Sequence, residues 1–265
     1  MRNAALALGL FLLVQLASSA AALLAVNVEN LAEGGGIDTA LLLRHPEYSG
    51  VALFFGQLLL MVLLLLTRLV PRHPLRPAMR IGVGGWLCVT GATLLMSVGS
   101  TLLLAPLGLS DGGMMETFAG MKRNVLCLML LCCIGPLTEE LLFRAAILGN
   151  LRRCGLRPAA AVVVSALVFA VVHGNWAQAV PAALGGLLFG TFYVRATDLR
   201  PSAIGHVLNN SLAVAALFLW PEMDAGLLAL PAALLVGAGL ALLAGAAGLT
   251  LLWWNKTLQP IHEDR

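Results

Sequence analysis

The sequence predicts an all-α polytopic membrane protein, a bundle of about eight transmembrane helices with both termini cytoplasmic. Three observations predict it: an apolar composition, a series of apolar segments of spanning length, and basic residues that alternate between loops. Of the 265 residues 60% are apolar and 11% are charged, whereas soluble domains average about 25% charged residues. A chain with so little charge needs lipid as its solvent, and we expect a single membrane domain over residues 1–265.

Eight segments approach the roughly 20 apolar residues that a transmembrane helix needs. They lie at about 4–26, 50–70, 81–105, 124–150, 157–175, 178–195, 201–219 and 226–254. The first is longer than the apolar region of a signal peptide, roughly 7–15 residues, so we expect an uncleaved first span. In the sixth, Gly186 and Gly190 form a GxxxG pattern, which favours close packing of helices.

The basic residues support this count of spans. With a cytoplasmic N-terminus, the outer loops hold three of them, Arg44, Lys122 and Arg123, and Arg144 lies inside a span. The cytoplasmic segments hold the other twelve, which are Arg2, Arg68, Arg72, Arg76, Arg80, Arg152, Arg153, Arg157, Arg195, Arg200, Lys256 and Arg265. Such a bias is what the positive-inside rule predicts for eight spans with both termini inside.

Composition also argues against several functions. No basic run is interleaved with aromatic residues, so we expect no nucleic-acid partner. Four of the five cysteines lie in apolar segments and no C-x-x-C occurs, which argues against structural zinc and a disulfide framework. The Lys-poor, Ala- and Leu-rich composition suggests a GC-rich bacterial genome. We therefore expect a multi-pass protein of the inner (plasma) membrane, in contact with the lipid bilayer.

Ionisable and amide side chains cluster in three of the spans. They are Glu139, Glu140 and Arg144 in the fourth, His173 and Asn175 at the end of the fifth, and His206, Asn209 and Asn210 in the seventh. A charge near the bilayer centre costs at least about 2.5–3.5 kcal/mol. Such groups are therefore expected to face each other around a wet cavity, within a functional core at residues 120–220.

The spacing of these residues assigns them to helix faces. Glu140 and Arg144 are four apart and can pair, whereas Glu139 points about 100° away and stays free for chemistry. Pro136 is expected to remove a backbone hydrogen bond to Cys132 and to kink the helix. On straight helices the three polar groups would lie at different depths. A shared site therefore requires tilt, that kink, or other span limits.

Two chemistries fit a carboxylate beside two imidazoles. In one, Glu139 is the general base for a water that attacks a carbonyl, and His173, His206 and Asn210 donate hydrogen bonds to the oxyanion. In the other, His173, His206 and Glu139 hold a zinc ion with a fourth position open for water. The H-E-x-x-H motif of many zinc proteases is absent. These residues leave both chemistries open.

The three clusters also resemble a family pattern. Glu139 to Arg144 reads EExxxR, Phe169 to His173 reads FxxxH, and His206 to Asn210 reads HxxxN. In order and spacing the chain resembles the CPBP intramembrane proteases, which include the Rce1 CAAX prenyl proteases.

The resemblance implies a site and a class of substrate. Glu139 would activate water, Glu140 and Arg144 would support it, and His173, His206 and Asn210 would complete the site, with or without zinc. The substrate would be a membrane-attached protein or peptide, for example one with a C-terminal sorting tail or a single span. Some members of the family are linked to bacteriocin immunity or act as partners, so a non-catalytic scaffold is the alternative. A transporter is a third hypothesis, which the lack of a matching polar block in the first 120 residues disfavours.

Overall fold

The computed structural model describes residues 1–71, 79–220, 223–256 and 259–260. Within them, seven helices are long and apolar enough to cross a membrane, and an eighth apolar helix is shorter. In chain order the eight are α1 (Arg2–Val26), α2 (Pro46–Leu66), α3 (Val83–Leu104), α4 (Val125–Arg153), α5 (Pro158–Val171), α6 (Trp176–Ala196), α7 (Arg200–Leu219) and α8 (Ala232–Asn255). The chain is a multi-pass helical bundle, as predicted. The lipid-facing surface carries many exposed leucines and valines.

Local sequence explains where the observed helices differ from the predicted spans. α2 begins four residues before the predicted limit, because Pro46 occupies the first turn, where its missing N–H costs nothing. α5 ends at Val171, and Gly174 then turns the chain with a φ of +76°, a conformation that glycine adopts without strain. With 14 residues, α5 is about 21 Å long, less than the roughly 30 Å hydrocarbon core.

The fourth span is helical throughout, but two π-helical segments interrupt its α-helical hydrogen bonding. Leu130–Ile134 and Glu140–Leu148 are π-helical, with α-helical turns before, between and after them. In the first π segment the Gly135 amide donates to the Leu130 carbonyl, five residues back. Such widened turns are often found at functional sites, and here they lie on either side of Glu139.

Two apolar cores fill the bundle. One joins α1, α2, α4 and α5 around Phe143 and Phe169, and the other joins α3, α6 and α8 around Phe192 and Trp253. The predicted GxxxG pattern packs α6 against α5: a Cβ on Gly186 would lie 2.8 Å from Ala166 Cβ.

The segments predicted to be cytoplasmic gather at one end of the bundle. The Met1 amino group lies 2.6 Å from Cys154 Sγ, and Arg195 donates to the carbonyls of Trp254 and Lys256. Two short strands, β1 (Met79–Arg80) and β2 (Gln259–Pro260), pair antiparallel there. Met1 and the last described residues, Gln259–Pro260, therefore lie at the same end of the bundle. Which side is cytoplasmic stays a prediction, and Arg72, Arg76 and Arg265 lie outside the described residues.

Candidate active site

The imidazole of His206 lies between the two adjacent glutamates of α4. Its Nδ1 is 2.9 Å from Glu140 Oε1, and its Nε2 is 3.5 Å from Glu139 Oε2. Glu140 and His206 are 66 residues apart in the chain. The EExxxR and HxxxN motifs thus meet in space. Since a carboxylate only accepts hydrogen bonds, Nδ1 of His206 carries a hydrogen and donates a hydrogen bond to Glu140 Oε1.

Glu140 and Arg144 form a buried pair, as their spacing predicts. Arg144 Nη2 lies 3.3 Å from Glu140 Oε1, and the two side chains are 0% and 1% exposed. The Arg144 guanidinium also lies over the Phe169 ring, 5.0 Å from its centroid, at a distance typical of cation–π contacts. None of the guanidinium nitrogens of Arg144 donates a hydrogen bond of good geometry to a described residue. The pair is therefore mainly electrostatic.

Glu139 differs from its neighbour in exposure and in partners. Its side chain is 27% exposed, against 1% for Glu140. It has no cation four residues away on its own helix, and its distance to His206 Nε2 exceeds the roughly 2.7–3.2 Å of a good N–H···O bond. Of the two carboxylates, Glu139 is thus the one that water or a substrate can reach.

His173 reaches the cluster through an aromatic ring. Its Nδ1 donates to the Phe169 carbonyl at 2.7 Å, and its ring meets the Phe169 ring edge to face at 4.7 Å between centroids. Phe169 in turn contacts the His206 ring at 5.6 Å. With Nδ1 as the donor, a neutral His173 presents Nε2 as an acceptor, and it needs a second proton to donate from Nε2.

Asn210 is bound to the backbone of α4. Its Nδ2 donates to the Leu131 carbonyl at 3.3 Å, and its Oδ1 accepts from Asn209 Nδ2 at the same distance. In π register, Leu131 would bond the nitrogen of Pro136, which has no hydrogen. The prediction named Cys132, because it assumed an α-helical register. Asn210 thus satisfies a carbonyl that Pro136 leaves free, and it retains one amide hydrogen.

Phe189 and Asn175 have roles that the sequence patterns did not predict. Phe189 of α6 stacks on His206, with 5.1 Å between centroids and 22° between the planes, and no pattern in the sixth span marks it. Asn175 begins α6, where its Oδ1 accepts from the Gln178 amide at 2.9 Å. Asn175 is therefore a helix cap.

The residues proposed as zinc ligands do not form a ready-made set in this arrangement. Among the described residues, no three His, Cys, Asp or Glu side chains converge as a metal site would require. Nδ1 of His206 and Nδ1 of His173 are each held by an oxygen acceptor. This leaves Nε2 of both rings available, but in the described part of the chain these two nitrogens and a third ligand do not come together at one point.

Comparison with known proteins identifies the segment that carries these residues. Residues 122–212 match the family described as type II CAAX prenyl endopeptidase Rce1-like. The chain is also similar to the membrane-embedded CAAX protease MroQ of Staphylococcus aureus (strain USA300), with 37% identity over 95 residues. That match covers 34% of this chain and 38% of the relative's length. No solved structure matches the chain. The predicted resemblance to the CPBP proteases is confirmed over this segment.

Proposed function

We propose that the chain is an intramembrane endopeptidase, because residues 122–212 match the Rce1-like CAAX endopeptidase family. In this proposal it hydrolyses a peptide bond, in or next to the membrane, of a membrane-attached protein or peptide. The observation that carries the proposal is the contrast between two adjacent carboxylates. Glu140 is buried against Arg144 and His206, whereas Glu139 is open to water or substrate.

Glu139 is the general base of the proposed reaction. Its carboxylate takes a proton from water while the water oxygen bonds to the carbonyl carbon of the scissile peptide. The carbonyl electrons move to the oxygen, which becomes an oxyanion. When this intermediate collapses, the carbon–nitrogen bond breaks, and Glu139 returns the proton to the leaving nitrogen. A positioned base of this kind typically contributes about 10²–10⁴-fold to the rate.

The neighbours of Glu139 have separate tasks in the proposal. Glu140 holds His206 through Nδ1, and Arg144 balances the Glu140 charge within the protein. Phe189 stacks on His206 and restricts its rotation. This arrangement supports a fixed imidazole whose Nε2 faces Glu139.

The proposed oxyanion donors are His206, His173 and Asn210, and each needs a hydrogen that no other group uses. His206 and His173 donate from Nε2 only as imidazolium, because Nδ1 of each already donates elsewhere. Asn210 donates with the amide hydrogen that Leu131 does not use. Preorganised donors around a developing oxyanion are often the largest single contribution to catalysis.

The test is a comparison of peptide ends in the membrane proteomes of cells that produce either the wild type or the Glu139→Gln variant. We expect a set of new ends that depends on the wild type and disappears with Glu139→Gln. Glu116→Gln is the matched control, because Glu116 is an exposed carboxylate in the short helix Met114–Gly120, outside the site. It should leave the ends unchanged.

Abundance in the membrane and the unfolding temperature are measured for every variant. Ends that persist in a stable Glu139→Gln variant would remove Glu139 from the mechanism. If all three proteins are equally abundant and none generates new ends, the non-catalytic scaffold becomes the better hypothesis.

A further inference from the structure

A cavity lies at the end of the bundle where the basic segments gather. It has a volume of about 260 Å³ and lies between the last turns of α4 and α6. Arg152, Arg153, Tyr193 and Thr197 line it, and Gly149 and two aliphatic side chains complete its wall. None of these residues belongs to the three motifs, and the proposed hydrolysis uses none of them.

The positive charge at this cavity has no carboxylate partner among the residues that the structure describes. Both arginines are exposed, and no ion pair within the described part of the chain involves either of them. The nearby acid, Asp198, lies 2.9 Å from Arg200 in an ion pair of its own. Two adjacent guanidinium groups can therefore act together on a negatively charged ligand.

Helix ends alone would explain the arginines but not the cavity. Cations are favoured at the C-terminal end of a helix, and Arg152 and Arg153 lie in the last turn of α4. Tyr193, however, is only 5% exposed, lines the cavity, and has no hydrogen-bond partner among the residues that the structure describes. Its hydroxyl is not among the enclosed atoms that lack a partner, so it opens on the cavity and can donate a hydrogen bond to a ligand there.

We infer that this cavity is a binding site for the phosphate group of an anionic phospholipid. The two free phosphate oxygens accept hydrogen bonds from the guanidinium groups of Arg152 and Arg153, and one of them also accepts from the Tyr193 hydroxyl. Arginine is well suited to phosphate because its donors match the oxygen geometry. The cavity lies where the apolar helices α4 and α6 end, and basic pockets between transmembrane helices are known to bind lipid headgroups.

The test measures lipid binding to the purified full chain in detergent, with phosphatidylglycerol as the probe and phosphatidylcholine as the zwitterionic comparison. We expect the wild type to prefer phosphatidylglycerol. The double variant Arg152→Ala/Arg153→Ala should bind it about 30-fold more weakly. Tyr193→Phe, which keeps the packing and removes only the hydroxyl, should lose about fivefold.

Lys122→Ala/Arg123→Ala is the matched control, since it removes two adjacent basic residues just before the other end of α4. It should bind phosphatidylglycerol as the wild type does. Equal losses in both double variants, or no loss in Tyr193→Phe, would mean general surface attraction and would overturn the site. Inorganic phosphate is added as a competitor. If millimolar phosphate displaces phosphatidylglycerol from the wild type, the site takes the free anion and the lipid assignment is wrong.

Discussion

The contact between α3 and α8 and the contact between α4 and α7 use opposite means of joining helices. α3 and α8 approach through glycine: a Cβ on Gly239 would lie 2.8 Å from the Leu103 amide nitrogen, and one on Gly99 would lie 3.1 Å from the Gly239 carbonyl. α4 and α7 meet through polar side chains, with His206 held between Glu139 and Glu140. The first contact depends on shape alone, and small residues are a common way to join helices in a membrane.

The difference predicts where the bundle is sensitive to change. Shape can be disrupted by adding atoms. The Glu140–Arg144 ion pair lies within α4 and supports the contact of Glu140 with His206 of α7, and it is disrupted by removing one partner and leaving the other uncompensated. Substitutions at α3–α8 should therefore reduce stability without touching the chemistry. Substitutions at α4–α7 should change both.

The largest expected effect on stability is from Arg144→Met. It leaves Glu140 buried with His206 as its remaining partner, and removing one member of a buried pair costs about 3–5 kcal/mol. Thermal unfolding of the purified protein in detergent measures this loss.

Its control is the double variant Glu140→Gln/Arg144→Met, which removes both charges. We expect it to recover most of the lost stability. If it is as unstable as Arg144→Met alone, the packing of the Arg144 side chain on Phe169 matters more than its charge.

A smaller effect is expected from Gly239→Leu at the glycine contact. The added side chain meets backbone atoms of α3, and overpacking of this kind costs about 1–3 kcal/mol. Thermal unfolding again provides the measurement. Gly237→Leu on the same helix is the matched control, because nothing lies within 4 Å of a Cβ at that position.

The two helix contacts should also differ in their effect on function. Peptide ends formed per folded molecule should be unchanged in Gly239→Leu and lost in Glu139→Gln. Loss of ends in a Gly239→Leu protein that remains folded would show that the α3–α8 contact also controls the site.

Prediction from the sequence succeeded where a pattern is local. Hydropathy located all eight helices, and the four-residue spacing paired Glu140 with Arg144. It did not reveal the π-helical turns, since their register depends on how α4 packs. On straight helices Glu139 and His206 were expected at different depths in the membrane. In the structure, Glu139 Oε2 and His206 Nε2 are 3.5 Å apart. The stacking of Phe189 likewise depends on a tertiary contact that no spacing encodes.

The smallest expected effect is from Asn210→Ala, and it concerns the joint between the π-helical turn and α7. The variant leaves the Leu131 carbonyl without its donor, and the loss of one such hydrogen bond costs about 0.5–1.5 kcal/mol. Asn209→Ala is the control: it removes the donor to Asn210 Oδ1 but keeps the bond to Leu131. If Asn210 only positions α4, Asn210→Ala should lower the unfolding temperature more than Asn209→Ala and slow the formation of peptide ends modestly. A stable Asn210→Ala protein that forms no peptide ends would instead assign Asn210 to the oxyanion.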